Sequence, residues 1–183
     1  MKKALYLLPF LVVLFALSVV AQRFVQDARS ESSGTLVKFE GGIGVIPAAS
    51  GVGQAATAEV VNRNIVRGVQ PAGQIWVISA LKADVKEDGR ILVDGRGLLL
   101  GGGNLIGFTA NASVFATLIC EAAAPFTERS TNPLGVALEP NGDFRIDDVL
   151  VPAPPVVCAS PVLLIRTTGA NPGWFAAGIP KQN

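Results

Sequence analysis

Glu139, Asn141, Asp143, Asp147 and Asp148 form the densest group of oxygen-bearing side chains in the chain. Calcium takes carboxylate and carbonyl oxygens from turns of this kind, which makes Glu139, Asn141 and Asp143 its candidate ligands. Their spacing is not that of an EF-hand loop, and Asp147 and Asp148, adjacent in a strand, point to opposite faces. The competing reading is a solvated hairpin in which Asn and Asp serve turn chemistry. The same carboxylates suit a glycosidase, whose acid and base face one cleft roughly 5 to 10 Å apart. Trp76 and Trp174 are then the candidate sugar platforms, and more generally the candidate surface anchors. Their neighbours favour core packing instead, because Trp76 alternates with Ile78 and Ala80 and Trp174 precedes a near-continuous apolar run.

The chain has no histidine. Without imidazole there is no Ser-His-Asp or Cys-His system, no usual zinc site and no cupredoxin-like copper site. Gly41-Gly42-Ile43-Gly44 and Gly101-Gly102-Gly103 have the look of phosphate cradles, but neither runs into Lys-Ser, Lys-Thr or a helix N-terminus. They are expected to permit turns and close backbone approaches. No cofactor is implied.

Lys2 and Lys3, an apolar run from Ala4 to Val20, and small residues up to Ala21 have the order of a secretory signal peptide. The alternative is an uncleaved anchor, since Ala4 to Ala21 is long enough to span a bilayer. Removing residues 1–21 takes away two lysines and no acids, so 13 basic residues face 14 acidic ones and the formal charge passes from +1 to −1. The only Tyr and the only Met leave with it. The basic residues that remain are spread singly, which excludes a nucleic-acid footprint. Export also decides the state of Cys120 and Cys158, which are expected to be joined in an oxidising compartment. With no membrane contact after cleavage, the expected location is secreted or periplasmic.

The sequence divides into a signal segment (1–21), a polar tether (22–35) and one domain (36–183). Within the domain, glycine and proline punctuate short β-branched runs and no helical stripe is sustained. The class is all-β, a single β-sandwich or partly closed barrel of about eight to ten short strands. Ile75, Val77, Ser79, Leu81, Ala83 and Val85 alternate with the opposite face up to Glu87-Asp88-Gly89. A two-residue loop there would set Ala83 against Asp94 and Leu81 against Arg96. A three-residue loop with Gly89 left-handed pairs Val85 with Ile91, Ala83 with Val93 and Val77 with Leu99, and sets Lys82 against Asp94, so this register is expected. Further strands are expected at 43–47, 58–69, 113–120, 134–138, 144–149, 161–167 and 174–179. Ala122 to Pro133 and Pro152 to Pro155 read as loops.

Val66-Arg67-Gly68-Val69 through Pro71-Ala72-Gly73, Leu81-Lys82-Ala83-Asp84-Val85 and Trp174-Phe175-Ala176-Ala177-Gly178-Ile179 resemble a family of uncharacterised exported bacterial proteins, which implies secretion and no activity. Asn141-Gly142-Asp143-Phe144-Arg145-Ile146 is similar to the turn and strand of carboxypeptidase-regulatory-like and transthyretin-like sandwiches, with Glu139-Pro140 in place of their threonine-aspartate. That likeness implies a sandwich and transfers no site.

The expectation is therefore an exported, non-catalytic binding or structural module acting on a protein or envelope component. Two alternatives stand beside it. One is a carrier of an apolar small molecule, its barrel lined by Leu98-Leu99-Leu100 and Leu105-Ile106-Gly107-Phe108. The other is a carboxylate-dependent secreted hydrolase.

Overall fold

The Glu87-Asp88-Gly89 turn sets the register on which the sheet is built. The computed structural model describes residues 33–50 and 61–181. The expected signal segment and most of the tether lie outside them. Strand β1 (Thr35–Gly44) is followed by β2 (Pro47–Ser50), β3 (Val61–Arg63), β4 (Trp76–Val77), β5 (Ala80–Lys86), β6 (Arg90–Arg96) and β7 (Leu99–Leu100). Then come β8 (Ser113–Ile119), β9 (Arg129–Ser130), β10 (Val136–Ala137), β11 (Phe144–Val149), β12 (Val162–Thr167) and β13 (Trp174–Pro180). Gly89 has φ +89° and its N–H donates to Lys86 O at 3.0 Å, so the turn is the three-residue, left-handed one. Val85 pairs with Ile91, Ala83 with Val93 and Lys82 with Asp94, as the apolar matching requires.

From this hairpin the main sheet runs β10-β8-β12-β13-β1-β5-β6-β11, all antiparallel, with β9 also on β8. Its ends meet. Ser130, which pairs with Thr117 of β8, exchanges two backbone hydrogen bonds of 3.0 and 2.9 Å with Val151, just beyond β11. The fold is thus the nearly closed barrel among the expected alternatives, and closure removes the exposed edges that an open sheet would carry.

Pairing places Phe39 beside Ala83, Ala83 beside Val93 and Val93 beside Ile146, an interior row in which every side chain is buried. One residue along, the outward row reads Glu40, Lys82, Asp94, Arg145. Strands β8 and β12 differ in being buried on both faces for most of their length, and β13 is likewise buried over Trp174, Phe175 and Ala176. Segment 64–72 runs to the start of β13 and pairs with it, Ala72 N donating to Trp174 O at 3.0 Å and Trp174 N to Gln70 O at 3.0 Å.

Two sequence expectations change here. Ile75 and Val77 do not continue the buried face of Leu81, Ala83 and Val85: Val77 is 45% exposed and Trp76 is the buried member. The phase flips because β4 leaves the main sheet to pair with β7, in the expected Val77 to Leu99 register, and the chain re-enters at Ser79, whose N–H donates to Arg96 O at 2.9 Å. The expected strand over 58–69 is, in its described part, only β3 and then a tight turn at Arg67-Gly68. Both turn residues have positive φ, 50° and 82°, and Val66 and Val69 exchange two hydrogen bonds across them. This is the primed hairpin geometry.

Gly95 carries the close packing of the β6 and β11 pair. A Cβ there would lie 2.1 Å from the Phe144 ring, which covers the glycine. Gly95→Ala should therefore lower unfolding free energy by about 1 to 3 kcal/mol through overpacking. The companion Phe144→Leu should reduce the cost of Gly95→Ala when the two are combined, which urea titrations of the four-member cycle will read. Equal and additive losses would show that the ring and the glycine are not coupled.

Candidate functional site

The outward rows of β1, β5, β6 and β11 put alternating charges on one wall of the barrel. Successive outward positions on a strand are two residues apart, so Lys38 and Glu40, Lys82 and Asp84, Leu92 and Asp94, and Arg145 and Asp147 all point the same way. Lys181, just past β13, extends the row with a 2.7 Å ion pair to Glu40, and Arg145 pairs with Asp94 at 2.8 Å. Lys82 stands between the two acids by register. A shallow groove of about 280 Å³ follows the row, lined by Lys38, Glu40, Lys82, Asp84, Asp94 and Lys181. The hydrogen bond from Lys181, then its charge and that of Lys82, hold the Glu40 carboxyl below its ordinary value. Such a wall offers ionised groups of both signs at strand spacing.

The opposite side of the barrel buries its charges. Arg166 is 6% exposed and lies over the Phe115 ring, donates to Pro172 O through Nε (3.1 Å) and Nη2 (2.9 Å), and meets Glu128 through Nη1. Arg129, 7% exposed, pairs with Glu121 at 2.8 Å and donates to Thr127 O at 2.9 Å. Arg67 bridges two loops, donating to Ala122 O and to Ser160 Oγ at 2.7 Å, with its guanidinium over Phe126. Cys120 and Cys158 join the same two loops in a disulfide. Each ion pair combines a buried arginine with a more exposed glutamate, and together they fix residues 121–130, which the sequence marks only as a loop. Sequence reading missed these groups because each arginine stands alone in its segment.

The turn carboxylates serve the backbone. Asn141 Oδ1 accepts from Asp143 N at 3.0 Å, Asp143 Oδ1 accepts from Gly97 N at 3.0 Å, and Glu139 N donates to Asp143 O at 2.9 Å. Asp148 Oδ2 accepts from Asn132 N at 2.8 Å. Of the expected calcium ligands, Asn141 Oδ1 and Asp143 Oδ1 thus face amide donors, and among the described residues no group of three or more His, Cys, Asp or Glu is placed to hold a metal ion. Trp76 and Trp174 are each 3% exposed and are not surface platforms. Trp76 stacks on Phe175 at 3.9 Å between centroids, and Trp174 Nε1 donates to Asn64 O at 3.1 Å. The carrier reading loses its lining as well: Leu98 and Leu100 are core residues, but Leu105, Ile106 and Phe108 are 54 to 64% exposed. Gly44 shows what the first glycine run is for, since a Cβ there would lie 2.0 Å from Trp76 O.

One spacing that sequence reading passes over is Ser79-Ala80-Leu81-Lys82, a Ser-x-x-Lys order. That order makes a dyad on a helix, where positions three apart share a face; here Ser79 lies in the bend before β5 and Lys82 within β5.

No protein family, curated protein or solved structure matches the chain.

Two predictions follow from the buried side. Hydrogen bonding from Arg129, partly opposed by burial, lowers the Glu121 pKa from 4.5 to about 2. A depressed carboxylate stabilises the fold above its unfolded pKa and ceases to do so as pH falls through the folded one. The stability gap between the wild type and Glu121→Gln should thus be full above about pH 5 and close toward pH 2, as read by thermal midpoints across that range. A gap independent of pH would detach it from this ionisation. The disulfide closes a separation of 38 residues. Cys120→Ser with Cys158→Ser should cost roughly 4 kcal/mol in urea unfolding on the chain-entropy account.

Proposed function

We propose that this chain is an exported, non-catalytic β-barrel module that acts by surface binding in the cell envelope or outside the cell, on a protein or envelope component. The observation that carries the reading is the contrast between the two faces of one wall. The interior rows of β1, β5, β6 and β11 are filled by their own apolar side chains, whereas the outward rows present paired charges along a groove. Binding chemistry of that kind selects an extended polar partner by charge register. Glu40 and Glu121 are both carboxyl groups held down by cations, the opposite of what a general acid needs. Export rests on residues 1–21 and on the formed disulfide, and agrees with the resemblance to exported bacterial proteins.

Deleting residues 2–21 should leave the chain in the cytoplasm with both thiols open to alkylation, while the full chain is found outside it with neither reactive. Equal partitioning of the two forms would remove the export reading. For binding, cross-linked capture from envelope fractions should enrich a partner on the wild type and lose it at least tenfold on Lys38→Glu with Lys82→Glu, at an unchanged thermal midpoint. Equal capture would move the site off this wall, and a small molecule retained in native mass spectra would favour the carrier instead.

A further inference from the structure

A fixed apolar ridge crosses the end of the barrel at which Thr35 enters. Strand pairing defines that end, because Thr35 lies against Lys86, Arg90 against Val149 and Val162 against Ile119. The chain crosses it from Val149 to Cys158, and no charged residue occurs between Asp148 and Arg166. Leu150 and Pro154 turn inward and are buried, with Leu150 N donating to Gly89 O at 2.8 Å. Val151, Val156 and Val157 turn outward and are 71, 88 and 73% exposed. The ridge is held at both ends, by the paired bonds of Val151 with Ser130 and by the disulfide with the Ser160 N to Cys120 O bond of 3.0 Å. Large apolar side chains held in water on a fixed backbone mark an interaction surface.

The chain outside the barrel supplies the occupant. Residues 4–21 carry no charge over 18 positions, and residues 22–34, a connector of 13, join them to Thr35 at this same end. Fully extended, that connector reaches at most about 45 Å. We infer that the ridge is a lipid-docking face: with residues 4–21 kept in a bilayer, the barrel rests its Thr35 end on the membrane and Val151, Val156 and Val157 enter the interfacial layer. Three valines bind a bilayer feebly by themselves, but a short connector makes the contact intramolecular and raises its effective concentration. At this end Lys86 pairs with Asp84 and Arg90 with Asp88, each at 2.8 Å, and the exposed Glu87 of the same turn adds an acid, so the face suits zwitterionic lipid and asks for no anionic headgroup. The inference shares export with the proposed function and differs in keeping the N-terminal segment attached.

The test uses the full chain in phosphatidylcholine vesicles with and without acyl-brominated lipid, comparing Val156→Trp with Leu134→Trp, an exposed site beside β10 toward the opposite end, and with the wild type as background for Trp76 and Trp174. Brominated lipid should quench the Val156→Trp emission at least twofold more than either control, with the thermal midpoint unchanged. Equal quenching in all three, or a chain that does not float with the vesicles, overturns the docking face. Export, read by the deletion of residues 2–21, would stand in either case.

Discussion

The pairing of Ala83 with Phe39 on one side and Val93 on the other is the constraint on which the barrel depends. Because the side-chain period of a strand is two, this single register fixes the orientation of the positions in β5 and β6, of Val37 to Glu40 in β1 ahead of its bulge, and through Val93 and Ile146 that of β11. Filling the interior row with Phe39, Val93 and Ile146 contributes about 1.5 to 3 kcal/mol for each of these side chains. A slip by one residue would place Lys82 and Asp94 inside, where unpaired charge costs several times as much. The hydrophobic row and the charged row are two readings of one register. Binding chemistry on the outer wall is therefore tied to stability on the inner one.

The barrel wall is unequal, and its inequality explains the buried arginines. Strands β5 and β6 alternate apolar and polar and meet water directly. Strands β8 and β12 are apolar or buried on both faces, so they need a second layer, supplied by chain with little ordered structure of its own. Such chain cannot be held by a ladder. It is held by Arg67, Arg129, Arg166 and the disulfide, each reaching across from another segment. Guanidinium suits this task because it donates in several directions at once, as Arg166 does to Pro172 O and Glu128 while covering Phe115. Breaking one such pair would leave a buried charge, so the loops are locked more firmly than their sequence suggests.

What was legible in the sequence follows the range of the forces involved. The β5 and β6 register, the left-handed Gly89 and the strand at 144–149 rest on alternation and turn chemistry within a few residues, and all were readable. Strand β1 was not, although it sits centrally, because Gly41 and Gly42 break its alternation with a bulge and resemble a turn. Trp76 shows the middle case. Its burial follows from its neighbours, yet the phase change at Ser79 depends on β4 pairing with β7, a contact that no local pattern encodes. The site was legible only as charge without location: Lys38, Lys82, Asp94 and Lys181 are unremarkable singly, and only strand order makes them a row.

Seen this way, the carboxylate turn at 139–143 and the charged wall differ in a way that composition conceals. Asn141 and Asp143 spend their oxygens on the amides of Asp143 and Gly97, so their chemistry is consumed by a hairpin. Glu40 and Asp94 spend theirs on Lys181 and Arg145, partners on flexible, half-exposed side chains. An amide in a turn cannot be exchanged without bending the chain. A surface ion pair exchanges partners at a cost of about 1 kcal/mol or less. The wall can therefore trade its internal pairs for those of an incoming strand or ligand with little change in the fold, which the turn cannot do.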